Sequence, residues 1–180
     1  MRVLATARLF LRAAEAGDAP FYLQLLNDPT FIANLGDRAI RTLAQARAAL
    51  ADGPIAMQAA LGHSLYLVER HDGVAIGMCG LIKRETLAGV DLGYGFLEAW
   101  RGQGYAREAA GAVLEYAHRQ LGLRRVLAIA SPQNVKSISL LQNIGFSFVR
   151  IVHLSPDDGG TCLYAHEQGA GGAGNATMES

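Results

Sequence analysis

The residues best suited to chemistry lie in a glycine-containing loop between an apolar run and a helical pattern. Gly102 and Gly104 stand in the segment Trp100 to Ala110, WRGQGYAREAA. Glycine lacks a Cβ, so the backbone there can adopt a positive φ and approach a ligand closely. The first turn of the following helix points unpaired N–H groups at that ligand. Arg101 and Arg107 add full positive charges. The pattern therefore indicates a cradle for a pyrophosphate group.

Two common phosphate-binding loops do not fit this segment. A Walker loop requires Lys followed by Ser or Thr after its last glycine, whereas Tyr105 and Ala106 occupy those positions. A dinucleotide-binding loop requires G-x-G-x-x-G, and Arg107 stands where the third glycine belongs. What remains is the pattern Arg101-x-x-Gly104-x-Ala106. Taken alone, it also fits a plain glycine turn between a strand and a helix.

Bulk composition limits the class of protein. A chain of 180 residues with 51% hydrophobic residues fits one domain with a substantial core. Its 16 basic and 16 acidic residues cancel, which disfavours partners bound through net charge, such as nucleic acid or a membrane surface. The sequence shows no secretory signal pattern and no apolar run of the ~18–20 residues that a membrane span needs. We therefore expect a cytoplasmic protein.

The cysteines and histidines do not form a metal-binding pattern. Cys79 and Cys162 stand singly in separate apolar runs, and no C-x-x-C pair is present. The five histidines lack a ligand spacing such as H-x-x-x-H. We therefore expect no metal and two buried free thiols.

Strand and helix patterns alternate along the chain. Apolar alternation and β-branched runs predict strands at Arg8–Arg12, Ser64–Glu69, Val74–Ile82, Val90–Phe96, Arg125–Ala130, Phe146–Leu154 and Thr161–His166. Helical spacing and capping residues predict helices at Asp18–Leu26, Leu43–Ala51, Pro54–Ala60, Tyr105–Leu121 and Val135–Ile144. Thr30–Arg41 reads as irregular, and Asp52-Gly53-Pro54 reads as a helix break. Residues 1–168 are predicted to form one α/β (α+β) domain, and 169–180 a disordered Gly/Ala-rich tail.

Several separate stretches, in this order, resemble the GNAT N-acetyltransferases, and in particular the branch that acetylates ribosomal-protein N-termini (the RimJ/RimL-like enzymes). The loop pattern Arg101-x-x-Gly104-x-Ala106 resembles the Q/R-x-x-G-x-G/A signature of the superfamily. The other matching stretches are Arg8-Leu9-x-Leu11-Arg12 with Asp18, Asn27-Asp28-Pro29, Ile76-Gly77-x-x-Gly80-Leu81, Leu92-Gly93-Tyr94, Asn134-x-x-Ser137 and Gly145-Phe146. The resemblance covers roughly residues 7–167.

This resemblance implies a fold and a reaction. The fold is a mixed, mostly antiparallel sheet of about seven strands with helices on both faces. The reaction is direct transfer of acetyl from acetyl-CoA to a primary amine, with a protein N-terminus as the expected acceptor. The residues implied to bind the cofactor are Arg101, Gly102, Gln103, Gly104, Tyr105, Ala106, Arg107 and Asn134, together with a backbone N–H of Phe96 or Leu97 for the acyl oxygen.

The resemblance also implies catalytic roles. Asp91 matches the position of a catalytic carboxylate that would deprotonate the amine, directly or through water, and its alternative is an edge or solvent-facing strand residue. Ser137 matches a serine near the thiol and would protonate the departing sulfur or simply form a hydrogen bond. Asn134 would contact the pantetheine arm, cap a helix, or do both. Many relatives carry a tyrosine acid at the position of Leu141, so that route is absent here.

Other functions remain open at this stage. The acceptor could be a small amine such as an antibiotic, polyamine or amino acid, or the protein could be a non-catalytic acyl-CoA sensor or another phosphate-ligand module. By resemblance, the acceptor pocket would come from Thr30–Arg41 and Ser155–Gly160, neither of which carries a readable specificity pattern. A monomer and a homodimer are both compatible with the sequence.

Overall fold

Eight strands form one open sheet in the computed structural model, which describes residues 1–156 and 158–169. The strands are β1 (Arg2–Ala5), β2 (Leu9–Ala13), β3 (Leu65–Arg70), β4 (Ala75–Lys83), β5 (Val90–Phe96), β6 (Arg125–Ala130), β7 (Ser147–Val152) and β8 (Thr161–Glu167). Their order across the sheet is β1-β2-β3-β4-β5-β6-β8-β7. Every neighbouring pair is antiparallel except β5–β6. The sheet is therefore mixed and mostly antiparallel, as expected.

Helices cover both faces of this sheet. They are α1 (Ala19–Leu26), α2 (Pro29–Leu35), α3 (Leu43–Leu50), α4 (Ala56–Leu61), α5 (Tyr105–Arg119) and α6 (Val135–Asn143). Successive side chains of a strand point to opposite faces. On β3, Tyr66 and Val68 accordingly belong to the core beneath α5, whereas Leu67 belongs to the core beneath α1 and α3. The central strands are thus buried on both sides.

Three local predictions are wrong. An eighth strand, β1, pairs with β2 at the edge of the sheet. The segment predicted to be irregular, Thr30–Arg41, begins inside α2, because Asp28 caps that helix by accepting from the N–H groups of Thr30 and Phe31. The predicted break before Pro54 is instead a π-helical turn, Ala51–Ile55, which joins α3 to α4. Proline lacks the N–H that a regular α-helical turn would need, and the wider π-turn accommodates it.

The feature that shapes the functional site is the separation of β5 from β6. These two parallel strands share one register pair, Asp91 with Leu127. On its other side, β5 pairs with β4 along its whole length, from Val90 opposite Lys83 to Phe96 opposite Gly77. Beyond Asp91 the edge of β5 that faces β6 is therefore left open. A cleft between the two strands results.

Four further expectations concern the cysteines, membrane-spanning helices, metal ligands and the tail. Cys79 and Cys162 are buried free thiols, as expected. Within residues 1–156 and 158–169, no helix is long and apolar enough to cross a membrane, and no group of three potential metal ligands is found. The predicted disorder of the tail concerns residues that lie, apart from Gly169, outside the described part of the chain.

Candidate active site

The cleft between β5 and β6 is a cavity of about 810 Å³ that extends across several elements. Its walls include Thr30, Phe31, Asn34, Leu35 and Arg38 from α2 and the loop after it, Asp91–Phe96 from β5, Trp100–Gly102 and Gly104–Arg107 from the glycine loop and α5, and Ile129–Ser131, Asn134, Lys136, Ser137, Leu140 and Leu141 from β6 and α6. Most of the residues singled out by sequence therefore line one cavity.

The glycine loop has the backbone geometry that its sequence predicts. Gly102 and Gly104 have φ values of 72° and 83°, in the region that favours glycine. The first helical bond of α5 runs from the N–H of Glu108 to the carbonyl of Gly104. No backbone N–H from Gly102 to Arg107 donates to an acceptor in the part of the chain that the structure describes. This row of free N–H groups at a helix N-terminus fits an anionic ligand such as a pyrophosphate.

A salt-bridged arginine, not identified from the sequence, fixes the loop. The guanidinium of Arg8 donates from Nε to the Glu108 carboxylate at 2.6 Å and from Nη1 to the Gln103 carbonyl at 2.9 Å. Glu108 also accepts from the Thr6 hydroxyl and from the Arg8 backbone N–H. A Cβ on Gly104 would lie 3.3 Å from Arg8 Nη2, a contact that a small shift of this flexible side chain relieves, so it is the positive φ that favours glycine here. These contacts fasten the loop to the start of β2.

Arg101 is largely committed to the protein, contrary to the expectation of a free phosphate-binding cation. Its Nε donates to the Phe96 carbonyl at 2.8 Å, and its Nη2 donates to Asp28 at 2.9 Å. Asp28 also accepts from the Glu98 N–H, so Arg101 and Asp28 together hold α2 against the end of β5. The remaining nitrogen, Nη1, is buried without a partner among the described residues. The donors left for a ligand are those of Nη1 and the second N–H of Nη2.

Two exposed cations at the cleft are better placed for phosphate. Arg107 lies in the first turn of α5, and Lys136 lies in the first turn of α6, on the other side of the opening. Neither side chain forms an ion pair or hydrogen bond with another described residue. Lys136 was not singled out from the sequence, because nothing in its local pattern distinguishes it from a solvated surface lysine.

The alternating hydrogen bonds between β5 and β4 determine which N–H groups of β5 face the cleft. The N–H of Leu97 donates to the Ile76 carbonyl of β4 at 3.0 Å, so the expected role of Leu97 as an acyl-oxygen donor is wrong. In an antiparallel pair, successive residues point their N–H groups to alternate sides. The N–H groups of Phe96 and Tyr94 therefore point away from β4, toward the open edge. Phe96 keeps its predicted role, and Tyr94 joins it as a second possible donor.

Asp91 lies at the closed end of the cleft and is fully buried. Both of its carboxylate oxygens accept from Arg84 Nε at 3.1 Å. Burial raises the pKa of the Asp91 carboxyl above its ordinary value, and the charge and hydrogen bonds of Arg84 partly offset that rise. Five residue-to-residue steps along the strand lead from Asp91 to Phe96, which is about 16–17 Å along the backbone. A proton transfer between an amine near Phe96 and Asp91 would consequently need a chain of water molecules.

Ser137 and Tyr94 form a hydrogen-bonded pair near the middle of the cleft. Their hydroxyl oxygens are 2.6 Å apart. The Ser137 N–H donates to the side-chain oxygen of Asn134, which caps α6, and this cap leaves the Asn134 amide NH₂ free of described partners. Burial raises the pKa of the Tyr94 hydroxyl to about 12, although the Ser137 hydrogen bond opposes the rise. Both hydroxyls are therefore neutral proton donors at ordinary pH.

Another part of the cleft wall is formed by α2 and by the residues that flank the last hairpin. The ring of Phe31 lies so close to β5 that a Cβ on Gly95 would be 2.8 Å from it. Leu154 and Thr161 line the cleft on either side of the expected acceptor segment Ser155–Gly160, of which residue 157 is not described. The acceptor region expected from the sequence is therefore next to the cavity.

Comparison with known proteins gives matches to one family. The family described as the acetyltransferase (GNAT) domain matches residues 8–147 of the chain. The chain is also 30% identical over 149 residues to the uncharacterized N-acetyltransferase p20 of Bacillus licheniformis, which corresponds to 81% of this chain and 83% of that protein.

Solved structures of the same fold extend the comparison. RimL, a ribosomal alpha-N-protein acetyltransferase in complex with coenzyme A, matches with a TM-score of 0.79 at 19% identity, over 93% of this chain and 98% of that chain. The spermidine N-acetyltransferase of Vibrio cholerae, in complex with CoA and spermine, matches with a TM-score of 0.76 at 18% identity, over 91% and 97% of the two chains. These two similarities concern the fold, and they confirm the predicted architecture.

Proposed function

The chain belongs to the GNAT acetyltransferases, which transfer acetyl from acetyl-CoA to an amine, and on that premise we propose that its acceptor is the N-terminal amine of a peptide or protein. The observation that carries this proposal is the continuity of the cleft. The free N–H row of Gly102–Arg107 and the α2 wall line one and the same cavity. Tyr94 and Ser137 line that cavity too.

The α2 wall suits a peptide backbone. The Thr30 hydroxyl and the Asn34 amide line the cleft, and neither side chain has a hydrogen-bond partner among the described residues. Hydroxyl and amide groups can both donate to and accept from peptide groups. Phe31 contributes an apolar surface beside them. RimL, which has the same fold and acts on a ribosomal protein, supports the proposal by analogy of fold alone.

Asp91 is the proposed terminal proton acceptor. The amine must lose a proton as its nitrogen bonds to the acyl carbon, because an ammonium group has no lone pair. The raised pKa of the Asp91 carboxyl makes it a stronger base than an ordinary aspartate. Since Asp91 is distant from Phe96, the proton would travel along water in the cleft. Meanwhile the N–H of Phe96 or Tyr94 would donate to the acyl oxygen as it gains negative charge.

Ser137 is the proposed donor to the departing sulfur. Its hydroxyl is held by Tyr94, and it lies in the first turn of α6, where the helix N-terminus stabilises negative charge. The sulfur gains a proton from Ser137 as its bond to the acyl carbon breaks, the serine regains a proton from water in the cleft, and Asp91 returns to water the proton that it took from the amine. A thiol has a pKa near ~8.5, so its anion leaves readily and a strong acid is unnecessary. The free NH₂ of Asn134 would donate to an amide carbonyl of the pantetheine arm.

The test is a thiol-release assay with acetyl-CoA and a panel of acceptors. The panel contains short peptides with free N-termini, the same peptides with blocked N-termini, spermidine, and single amino acids. We expect turnover with free peptides and none with blocked ones. Faster turnover with spermidine or single amino acids would transfer the assignment to a small-molecule acceptor. Binding of acetyl-CoA without turnover on any amine would favour an acyl-CoA sensor.

A further inference from the structure

The ionisable side chains around the cleft are mostly positive. Among residues 1–156 and 158–169, the cations that line it are Arg38, Arg84, Arg101, Arg107 and Lys136, and the carboxylates that line it are Asp91 and Glu98. Arg107 belongs to the helix start that fits a pyrophosphate, and Lys136 lies in the first turn of α6. Arg101 is paired with Asp28, and Arg84 is paired with Asp91. Arg38 is the cation that these assignments leave over, and it lies on the acceptor side.

Arg38 has no competing carboxylate among the described residues. The acid next to it in sequence, Asp37, is paired with Arg41. Arg38 is exposed, it follows the C-terminus of α2, and it lines the same end of the cleft as Asn34. A guanidinium in that position can donate two parallel hydrogen bonds to a carboxylate.

The same charge distribution disfavours a polycationic acceptor. A polyamine needs carboxylates to hold its distal ammonium groups. Of the two that line the cleft, Asp91 is fully buried with both oxygens bonded to Arg84. Glu98 belongs to the turn beside the glycine loop, where the phosphates are expected. A second ammonium on the acceptor side would instead meet the positive charge of Arg38.

We infer that the acceptor carries a carboxylate close to its reactive amine and that Arg38 binds this carboxylate. The inference rests on the proposed function, since it concerns the acceptor of the same transfer. The carboxylate could come from an acidic residue near a peptide N-terminus or from the α-carboxylate of a free amino acid. The chemistry at Arg38 is the same in both cases, and the acceptors used in the test separate them.

The experiment compares matched acceptors that differ by one charge. The acceptor peptides begin Ser-Asp and Ser-Asn and are otherwise identical, with amidated C-termini. Free serine and serine amide form the second pair, and spermidine is included. In one of the two pairs, we expect kcat/KM to be about three- to tenfold higher for the charged member, which is the Ser-Asp peptide or free serine, than for its neutral counterpart. A partly exposed charge-assisted hydrogen bond has an effect of this size. Spermidine should be the poorest acceptor.

Two variants assign the preference to its residue. Arg38→Gln should reduce the ratio between the charged and neutral acceptors to near one. Arg41→Gln is the matched control, because Arg41 is nearby but paired with Asp37 and is outside the cleft lining, and it should leave the ratio unchanged. Equal kcat/KM for the charged and neutral members of both pairs in the wild-type protein, or a ratio that survives Arg38→Gln, would overturn the inference. No turnover of either peptide would instead count against the peptide-acceptor proposal, and turnover of free serine alone would assign the carboxylate to an amino acid.

Discussion

Replacing Tyr94 with phenylalanine removes one hydroxyl from the centre of the cleft and leaves the ring in place. The lost contact is the 2.6 Å hydrogen bond to Ser137. A net hydrogen bond of this kind contributes ~0.5–1.5 kcal/mol. If that energy is available in the transition state, kcat should fall about three- to tenfold, since ~1.4 kcal/mol corresponds to a factor of ten. Ser137 would keep its place on α6 but lose the partner that directs its proton toward the sulfur.

The assay is thiol release at saturating acetyl-CoA and saturating acceptor, with KM for both substrates measured in parallel. We expect the loss in kcat and little change in KM for acetyl-CoA, because Tyr94 is not part of the phosphate-binding loop. Tyr164→Phe provides a matched control: Tyr164 is a buried tyrosine on β8 that does not line the cleft. Its kinetics should resemble those of the wild-type protein.

A double-mutant cycle tests whether the two hydroxyls act together. Ser137→Ala alone should lower kcat about 3- to 30-fold, because a thiolate leaves without a strong acid. Adding Tyr94→Phe to Ser137→Ala should cost little more, since Tyr94 acts through the serine. Full multiplicative losses, or an undiminished kcat in Tyr94→Phe, would refute the reasoning. A loss beyond a thousandfold for Tyr94→Phe would instead make the tyrosine the acid itself.

Three further predictions concern the cofactor, the base and the pH dependence of stability. Gly104→Glu should weaken acetyl-CoA binding at least tenfold in calorimetry (about 1.4 kcal/mol), whereas Gly73→Glu, at a glycine outside the cleft with a similar φ of 84°, should not. Asp91→Asn should lower kcat roughly 10²–10⁴-fold and remove the acidic limb of the pH–rate profile, while acetyl-CoA affinity stays unchanged. Burial and the neighbouring His118 lower the pKa of His166. The contribution of His166 to stability should therefore be complete above its unfolded-state pKa of about 6.5 and should decline as the pH falls below that value. On acidification, Tm should decrease less in His166→Gln than in the wild-type protein.

Each of these predictions has a contradicting outcome. Unchanged acetyl-CoA affinity in a folded Gly104→Glu protein would show that the phosphates do not bind at this loop. A wild-type pH profile in Asp91→Asn would assign the base elsewhere or to water alone. A Tm that falls equally with pH in both proteins would show that the His118–His166 pair does not contribute to acid sensitivity.

The sequence predicts the loop well because its geometry is local. Positive φ at Gly102 and Gly104, and the free N–H groups of the following helix turn, depend on a few consecutive residues. The strands adjoining the cleft are predictable for a similar reason, since apolar alternation needs no long-range information. The amino-acid sequence alone is therefore enough to locate these parts of the site.

The parts that sequence misses depend on distant contacts or on ambiguous local signals. Arg101 was expected to bind phosphate, but its partner Asp28 is 73 positions earlier in the chain. Asp28-Pro29 follows the end of α1 and also begins α2. The same two residues can signal the end of one helix or the capped start of another, so the local pattern is ambiguous. Leu97 could donate to the acyl oxygen only if its N–H faced the open edge of β5. The direction of that N–H is set by the pairing with β4, which the identity of the residue does not reveal.

The central claim is that the cleft joins a bound acetyl group to the N-terminal amine of a peptide. Its most direct test is mass-spectrometric mapping of a peptide that also contains a lysine, incubated with the protein and acetyl-CoA, with thiol release measured in the same sample. We expect one acetyl group per peptide on the N-terminal amine, equal in amount to the thiol released. Acetylation confined to the lysine side chain, or thiol release without modified peptide, would contradict it.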